Sequence, residues 1–267
     1  MFSAALIVYR EALEAALVVG IVAAATRMIA HRDRWIALGI ALGCAGALAL
    51  ASVADILGRW ANGMGHELFN AAALAVAVAM LAWHNIWMSR HGRQYADQAR
   101  ALGASASKGE LAMSAVAIAI ALTVLREGAE TVLFFYGVFA GSGASSASLA
   151  QGSILGLVAG VGTGVILYRG LVRIPLRHLF SVTSVLLLLV TAGMAAQLAQ
   201  ILIQADVLPP IIQPLWDTSR LLPPESSAGT LLHALVGYDA QPSATQVAFA
   251  GIVLVGVFLA TRMTRRG

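Results

Sequence analysis

A chain of 267 residues that is 59% hydrophobic and only 11% charged, with a mean hydropathy of +0.82, lies outside the range of water-soluble domains and reads as an integral helical membrane protein. The net charge of +4 would suggest nucleic acid as a partner of a soluble protein. Here the lipid bilayer is the expected partner, nucleic acid is not, and the basic residues serve orientation. The single cysteine, Cys44, excludes a disulfide framework or a cysteine metal site within one chain, and is expected as a small packing residue of its apolar run.

Seven apolar segments follow in chain order, at about 4–29, 35–57, 68–88, 111–139, 149–168, 178–204 and 246–263. Most meet the requirement of about 20 residues for crossing a bilayer as a helix. The first lacks a basic leader and a small-residue cleavage site, so it reads as helix one and not as a removed signal peptide. The loops after segments one, three and five, with the C-terminal tail, hold 13 of the 17 basic residues. By the positive-inside rule the N-terminus is outside and the C-terminus cytoplasmic, in a multi-pass protein of the inner (cytoplasmic) membrane. Trp35, Trp60, Trp83 and Trp87 fall at expected span ends, the usual place of an interfacial aromatic belt.

The first and fourth segments carry charge where each ionised group costs roughly 2.5–3.5 kcal/mol on insertion scales. Segment one holds Arg10-Glu11-Ala12-Leu13-Glu14, and segment four holds Arg126-Glu127-Gly128-Ala129-Glu130. On a helix the arginine and second glutamate are i, i+4 and the two glutamates i, i+3, so all three share one sector of the surface. The motifs lie 116 residues apart, and the same offset carries segments two and three onto five and six. Segments two (Gly39, Gly43, Gly46) and five (Gly152, Gly156, Gly160, Gly164) share glycines near four-residue spacing, which predicts two central, closely packed helices. Because each repeat has three spans, the halves insert in opposite directions, and the site is expected where they meet.

The fold expectation is therefore an all-α integral membrane protein: seven transmembrane helices, two inverted three-helix repeats plus a C-terminal helix. It forms one permease domain, 1–267. Repeat one covers about 4–88, a cytoplasmic loop 89–110, repeat two about 111–204, an external loop 205–245 and helix seven 246–263. The external loop is proline-punctuated and acidic, either a vestibule or a plain connector.

Four carboxylates, Glu11, Glu14, Glu127 and Glu130, make an oxygen site for a hard cation. Arg10 and Arg126 can fork onto carboxylates one turn away, holding them ionised and bringing the formal charge from −4 to −2. Without the arginines a multivalent ion would bind too tightly to leave. Two Arg–Glu pairs that merely knit the bundle together are the alternative, but a pair needs one glutamate per arginine and each motif supplies two.

Two R-E-x-x-E motifs in the first and fourth of seven helices resemble the oxidase-dependent iron transporter family, which includes the fungal high-affinity ferric iron permeases and the bacterial EfeU-type permeases. The resemblance spans essentially the whole chain. It takes in Glu67-Leu68-Phe69, Trp83 with Trp87-Met88, Trp216-Asp217-Thr218-Ser219, Gly229, Gly237-Tyr238 and Pro242. It implies an iron permease whose motif glutamates bind the ion, with iron as transported substrate and no organic cofactor. It also implies a separate extracytoplasmic iron oxidase, peroxidase or iron-binding protein. Some relatives have an acid three residues after the loop aspartate, where this chain has Arg220, which puts a role for Asp217 in question.

Glu67 beside His66, Asp217, and His84 beside Asn85 are further candidates, as ligands where the ion enters or leaves. For His84, placed near the cytoplasmic end of segment three, interfacial hydrogen bonding is the simpler reading. Gln197 and Gln200 suit bonding across helices, and Asp55 with Arg59 a boundary ion pair. The readings that compete with iron import are a permease for lead or another divalent ion, and a membrane-embedded carboxylate metalloenzyme. Neither motif carries the Glu-x-x-His of bundle di-iron sites, and no G-x-x-x-x-G-K indicates ATP use. Fe(II) and Fe(III), channel-like and alternating-access transport, and a monomer or homo-oligomer all remain open on these residues.

Overall fold

The computed structural model describes residues 1–61, 66–142, 145–169 and 176–264. Among these there are eight helices and no strand: α1 (Phe2–Ala25), α2 (Arg32–Ala61), α3 (His66–Ser107), α4 (Met113–Ser142), α5 (Ser146–Tyr168), α6 (Leu176–Gln204), α7 (Ser227–Val236) and α8 (Ala244–Thr264). Five of them, α2, α3, α5, α6 and α8, contain a stretch long and apolar enough to cross a membrane with at most two charges. Helices α1 and α4 are also long and apolar, but each carries the three charges of its motif. The charges that single out these two helices are the reason they fail a plain hydropathy criterion.

The glycine-rich helices behave differently from the expectation. Helix α5 lies along α1, and α2 along α4, as the two most extensive helix pairs of the fold. A Cβ added at Gly43 would come within 2.6 Å of Val124 Cβ, and one at Gly39 within 2.6 Å of the Ala117 carbonyl oxygen. On the other seam a Cβ at Gly160 would sit 2.5 Å from the Tyr9 carbonyl, and Gly152, Gly156 and Gly164 face Met1, Ala5 and Ala16. Close approach is thus as expected, but neither helix is central. Leu42, Leu48 and Val53 of α2 and Ile154, Leu157 and Val158 of α5 are exposed, so each lines the periphery with one small-residue edge against a motif helix. Cys44 lies on the exposed face of α2, not in packing.

The interior consists of two apolar clusters. One joins Ile7 of α1, Leu74 to Leu81 of α3, Phe134 and Val138 of α4, and Leu187 to Ala195 of α6. The other joins Val22 of α1, Ile36 of α2, Ala99 and Ala106 of α3, and Val116 and Ile120 of α4. Along α1 the order is Ile7, motif, Val22; along α4 it is Ile120, motif, Phe134. The two motif helices therefore run antiparallel, and the charged residues form a layer between the apolar clusters.

Helix α3 has 42 residues, about 63 Å at 1.5 Å per residue, or twice the hydrocarbon thickness. It continues through most of the expected 89–110 loop, which is helical to Ser107. The 205–245 connection is structured as well. Ser226 caps α7, accepting from Gly229 N at 3.0 Å. The helix ends at Gly237 in the left-handed conformation (φ 68°), a geometry glycine adopts without strain. Gly237 lies against Gly193 of α6, where an added Cβ at Gly193 would reach the Gly237 nitrogen at 2.5 Å. Tyr238 ties the segment together: its hydroxyl lies 2.7 Å from Thr218 Oγ1 and donates to the Leu222 carbonyl at 3.0 Å.

The seam makes a direct prediction. Gly43→Leu forces an overpacked contact with Val124 and is expected to cost about 1–3 kcal/mol or more, read as a lower melting temperature of the detergent-solubilised protein. Gly251→Ala, with nothing within 4 Å of the added Cβ, should melt like the parent.

Candidate metal centre

The two motifs adopt the same internal geometry. Arg10 Nε donates to Glu14 Oε1 at 2.9 Å and Arg126 Nε to Glu130 Oε1 at 3.0 Å, each one helical turn apart. The i+4 glutamate of each motif is held by its own arginine. The i+1 glutamate is not. Both oxygens of Glu11 and Oε2 of Glu127 are buried without a hydrogen-bond partner, as is Arg10 Nη1. A buried carboxylate left unsatisfied costs several kcal/mol, and here two of them face one interior point, a donor set that could hold a cation.

The expected four glutamates do converge. Ligand atoms of Glu11, Glu127 and Glu130 lie within 4.8 Å of one another, and those of Glu11, Glu14 and His84 form a second such group. Glu11 belongs to both. The side chains are buried unequally: Arg10 is 1% exposed and Arg126 35%. The guanidinium of Arg126 lies 4.8 Å above the centroid of the Trp87 ring, a cation–π contact that compensates a charge less enclosed than its counterpart.

Two sequence expectations change here. His84 is not an interfacial residue near the end of a span. It is 4% exposed, its Nδ1 pairs with Glu130 Oε2, and its Nε2 lies 3.8 Å from Glu14 Oε1. It therefore touches both motifs. Its ring meets Phe134 edge-on at 6.3 Å, and its neighbour Asn85 donates to the Ser184 carbonyl of α6 at 3.0 Å. Trp87 is not simply a belt residue either, since it supports Arg126; Trp83, 70% exposed, does present the outward face expected of one. The signal for His84 was available in the spacing. Leu74, Ala77, Val78 and Leu81 form a buried stripe of α3, and His84 with Asn85 continues it at i+3 and i+4.

The remaining candidates lie elsewhere. Asp217 is exposed in the 205–245 connection, with Oδ1 accepting from Ser219 N at 2.9 Å and Ser219 Oγ at 2.6 Å, and Oδ2 from Gln241 Nε2 at 2.9 Å. The Ser219 hydroxyl first, then the Ser219 amide and Gln241, hold its carboxyl below the usual carboxylate range. Both oxygens are occupied, which makes Asp217 a staple of this segment. The side chains of Glu67, His66, Asp55 and Arg59 fall outside the described residues.

Two outcomes are expected. Removing Arg10 leaves Glu14 as an uncompensated buried charge, so Arg10→Leu should lower the melting temperature more than Arg126→Leu, because a broken buried pair costs about 3–5 kcal/mol and a part-buried one less. For Asp217, a folded-state pKa below the unfolded one means that its contribution is complete above about pH 4 and is lost as pH falls through the lower folded value. Amide exchange at Ser219 and Gln241 should therefore quicken on acidification below about pH 4 beyond the intrinsic rate, and Asp217→Asn should show fast exchange already at neutral pH.

Comparison with known proteins places the chain in a family. The model of the iron permease FTR1 family matches residues 1–263. The chain is 31% identical over 271 residues to the ferrous iron permease EfeU of Shigella sonnei and to that of Escherichia coli O157:H7, covering all of this chain and 97% of each relative. It is 30% identical over 264 residues to that of Yersinia pestis, covering 96% and 91%. No solved structure matches the chain. The relatives are permeases and not enzymes, and this multi-pass, all-helical membrane protein belongs to the FTR1 iron permease family.

Proposed function

We propose that the chain imports iron, as Fe(II), across the cytoplasmic membrane through the carboxylate site formed by its two R-E-x-x-E motifs. One observation carries this reading: Glu11 and Glu127, from two antiparallel helices, turn buried and unpartnered carboxylate oxygens toward one interior point. Permanent ion pairs would not leave them so. The ferrous state is drawn from the names of the relatives and agrees with the charge. Four glutamates and two arginines sum to −2, which a divalent ion neutralises within an apolar interior and a trivalent ion overshoots.

The same proposal includes seven spans (α1 to α6 and α8), with α1–α3 and α4–α6 as oppositely inserted repeats. The reciprocal seams support it, because the glycine helix of each half packs on the motif helix of the other. The basic residues put the N-terminus outside and the C-terminus in the cytoplasm. The membrane potential supplies about 2.3 kcal/mol per charge per 100 mV for inward movement. An extracytoplasmic oxidase, peroxidase or iron-binding protein is a separate partner in this scheme, and Glu67 a candidate ligand at the outer mouth.

Proteoliposomes loaded with the purified protein test the assignment. Uptake of radioactive iron under reducing conditions should fall about 10–100-fold in Glu11→Gln and Glu127→Gln, the loss of a charge-assisted contact of roughly 1.5–3 kcal/mol. Glu14→Ala and Glu130→Ala should also abolish uptake, because each frees an arginine inside the site. Normal flux in both Glu11→Gln and Glu127→Gln would overturn the assignment, and a preference for lead or manganese over iron would change the cargo.

A further inference from the structure

The R-E-x-x-E carboxylates supply only oxygen, yet among the described residues the buried layer also contains an imidazole nitrogen, that of His84. We propose that His84 is a ligand of the transported cation, and that its imidazole biases the site toward divalent transition-metal ions over Mg2+, Ca2+ and Fe(III). The inference rests on the permease reading above and adds to it a specificity-determining residue on a helix that carries no motif.

The geometry around the ring supports ligation in three ways. Nδ1 faces Glu130 Oε2, and a carboxylate can only accept, so a neutral ring carries its hydrogen on Nδ1 and leaves the Nε2 lone pair free. Nε2 is buried with no hydrogen-bond partner and faces Glu14, with which His84 and Glu11 form one donor group. Its distance of 3.8 Å from Glu14 Oε1 is too long for a hydrogen bond. It does suit an ion bonded to both atoms, since two bonds of about 2.1 Å span up to about 4.2 Å.

The arrangement behind the ring is the one metal-bound histidines have. Such a histidine donates its other ring N–H to a carboxylate, which fixes the tautomer and raises the basicity of the ligating nitrogen. Here the carboxylate is Glu130, itself fixed by Arg126, which in turn rests on Trp87. The two motifs thus differ in task. Glu11, Glu14 and Glu127 present oxygens to the ion, while Glu130 orients the imidazole.

The chemical consequence is selectivity. An all-carboxylate cage suits Mg2+ and Ca2+, whereas divalent transition-metal ions also accept imidazole. The abundant hard cations would otherwise compete for a −2 site far above the concentration of iron, and a nitrogen ligand discriminates against them without adding charge.

Electron–nuclear double resonance on the purified full-length protein loaded with Mn(II) tests this. A nitrogen hyperfine coupling should appear in the parent, be absent from His84→Gln, and vanish together with the bound ion in Glu11→Gln. In proteoliposomes, His84→Glu should transport Fe(II) with at least tenfold greater inhibition by Mg2+ and Ca2+ than the parent. The parent spectrum decides the matter even where a variant fails to fold. Mn(II) bound in a Glu11-dependent way without nitrogen coupling would overturn the ligation and leave the permease reading intact. Absence of any Glu11-dependent binding would overturn both. Unchanged cation selectivity in a folded, active His84→Glu would reduce His84 to a structural hydrogen bond and overturn the inference.

Discussion

The constraint on which this structure depends is the burial of negative charge with too few protein partners. Glu11 is 2% exposed and neither of its oxygens is hydrogen-bonded. An interior carboxylate of this kind is tolerated only if something else compensates it. Arg10 and Arg126 compensate half of the four glutamates, and each does so for the residue one turn along its own helix. The other half, Glu11 and Glu127, is not paired in this way. Committing one glutamate of each motif to an ion pair keeps the backbone and rotamers of that turn fixed, so the free glutamate is preorganised by its neighbour and not by the ion.

The rest of the fold can be understood as maintaining that layer. Apolar side chains close it on both axial sides, with Ile7, Phe134 and Leu187 in one direction and Val22, Val116 and Ile120 in the other. Low polarity there strengthens the Arg–Glu and glutamate–cation attractions alike. The glycine seams bring the α1 backbone onto α5 and the α4 backbone onto α2 at distances no larger residue allows. Each motif helix is therefore braced along its length by a partner whose other face meets lipid.

Much of this is legible in the amino-acid sequence, and the exceptions have physical reasons. Segment positions can be read because a bilayer imposes one length on every span. The internal geometry of each motif can be read because i, i+3 and i, i+4 relations belong to the helix alone. Antiparallel α1 and α4 follow from the two spans, an even number, expected between them. What escapes is set by packing between helices. Glycines at four-residue spacing predict close approach, but not whether the helix behind them is central, and α2 and α5 are peripheral. His84 reads as interfacial when its depth is counted from the end of an apolar run. Helix α3 runs on to Ser107, so the end of that run does not mark the end of the helix. The stripe from Leu74 to Leu81 was the better ruler. The proline-rich connection is opaque for a related reason, since the Thr218–Tyr238 and Gly193–Gly237 contacts join residues 20 or more positions apart, and α7 within it is only ten residues long.

The unequal surroundings of the two motifs bear on how such a site could both hold and release an ion. A perfectly two-fold cage of four glutamates and two arginines would offer one minimum at its centre, and a multivalent ion there would have no preferred direction of exit. Here Glu11 belongs to two overlapping donor groups of different chemistry, one with Glu127 and Glu130, the other with Glu14 and His84. The first lies beside the more exposed Arg126, the second beside the fully enclosed Arg10. An ion shared through Glu11 can exchange one ligand at a time between them, so no step requires the whole coordination shell to be lost at once. Conduction needs sites weak enough to leave as well as strong enough to enter. Two adjacent partial sites joined by one shared carboxylate meet that need better than a single closed one.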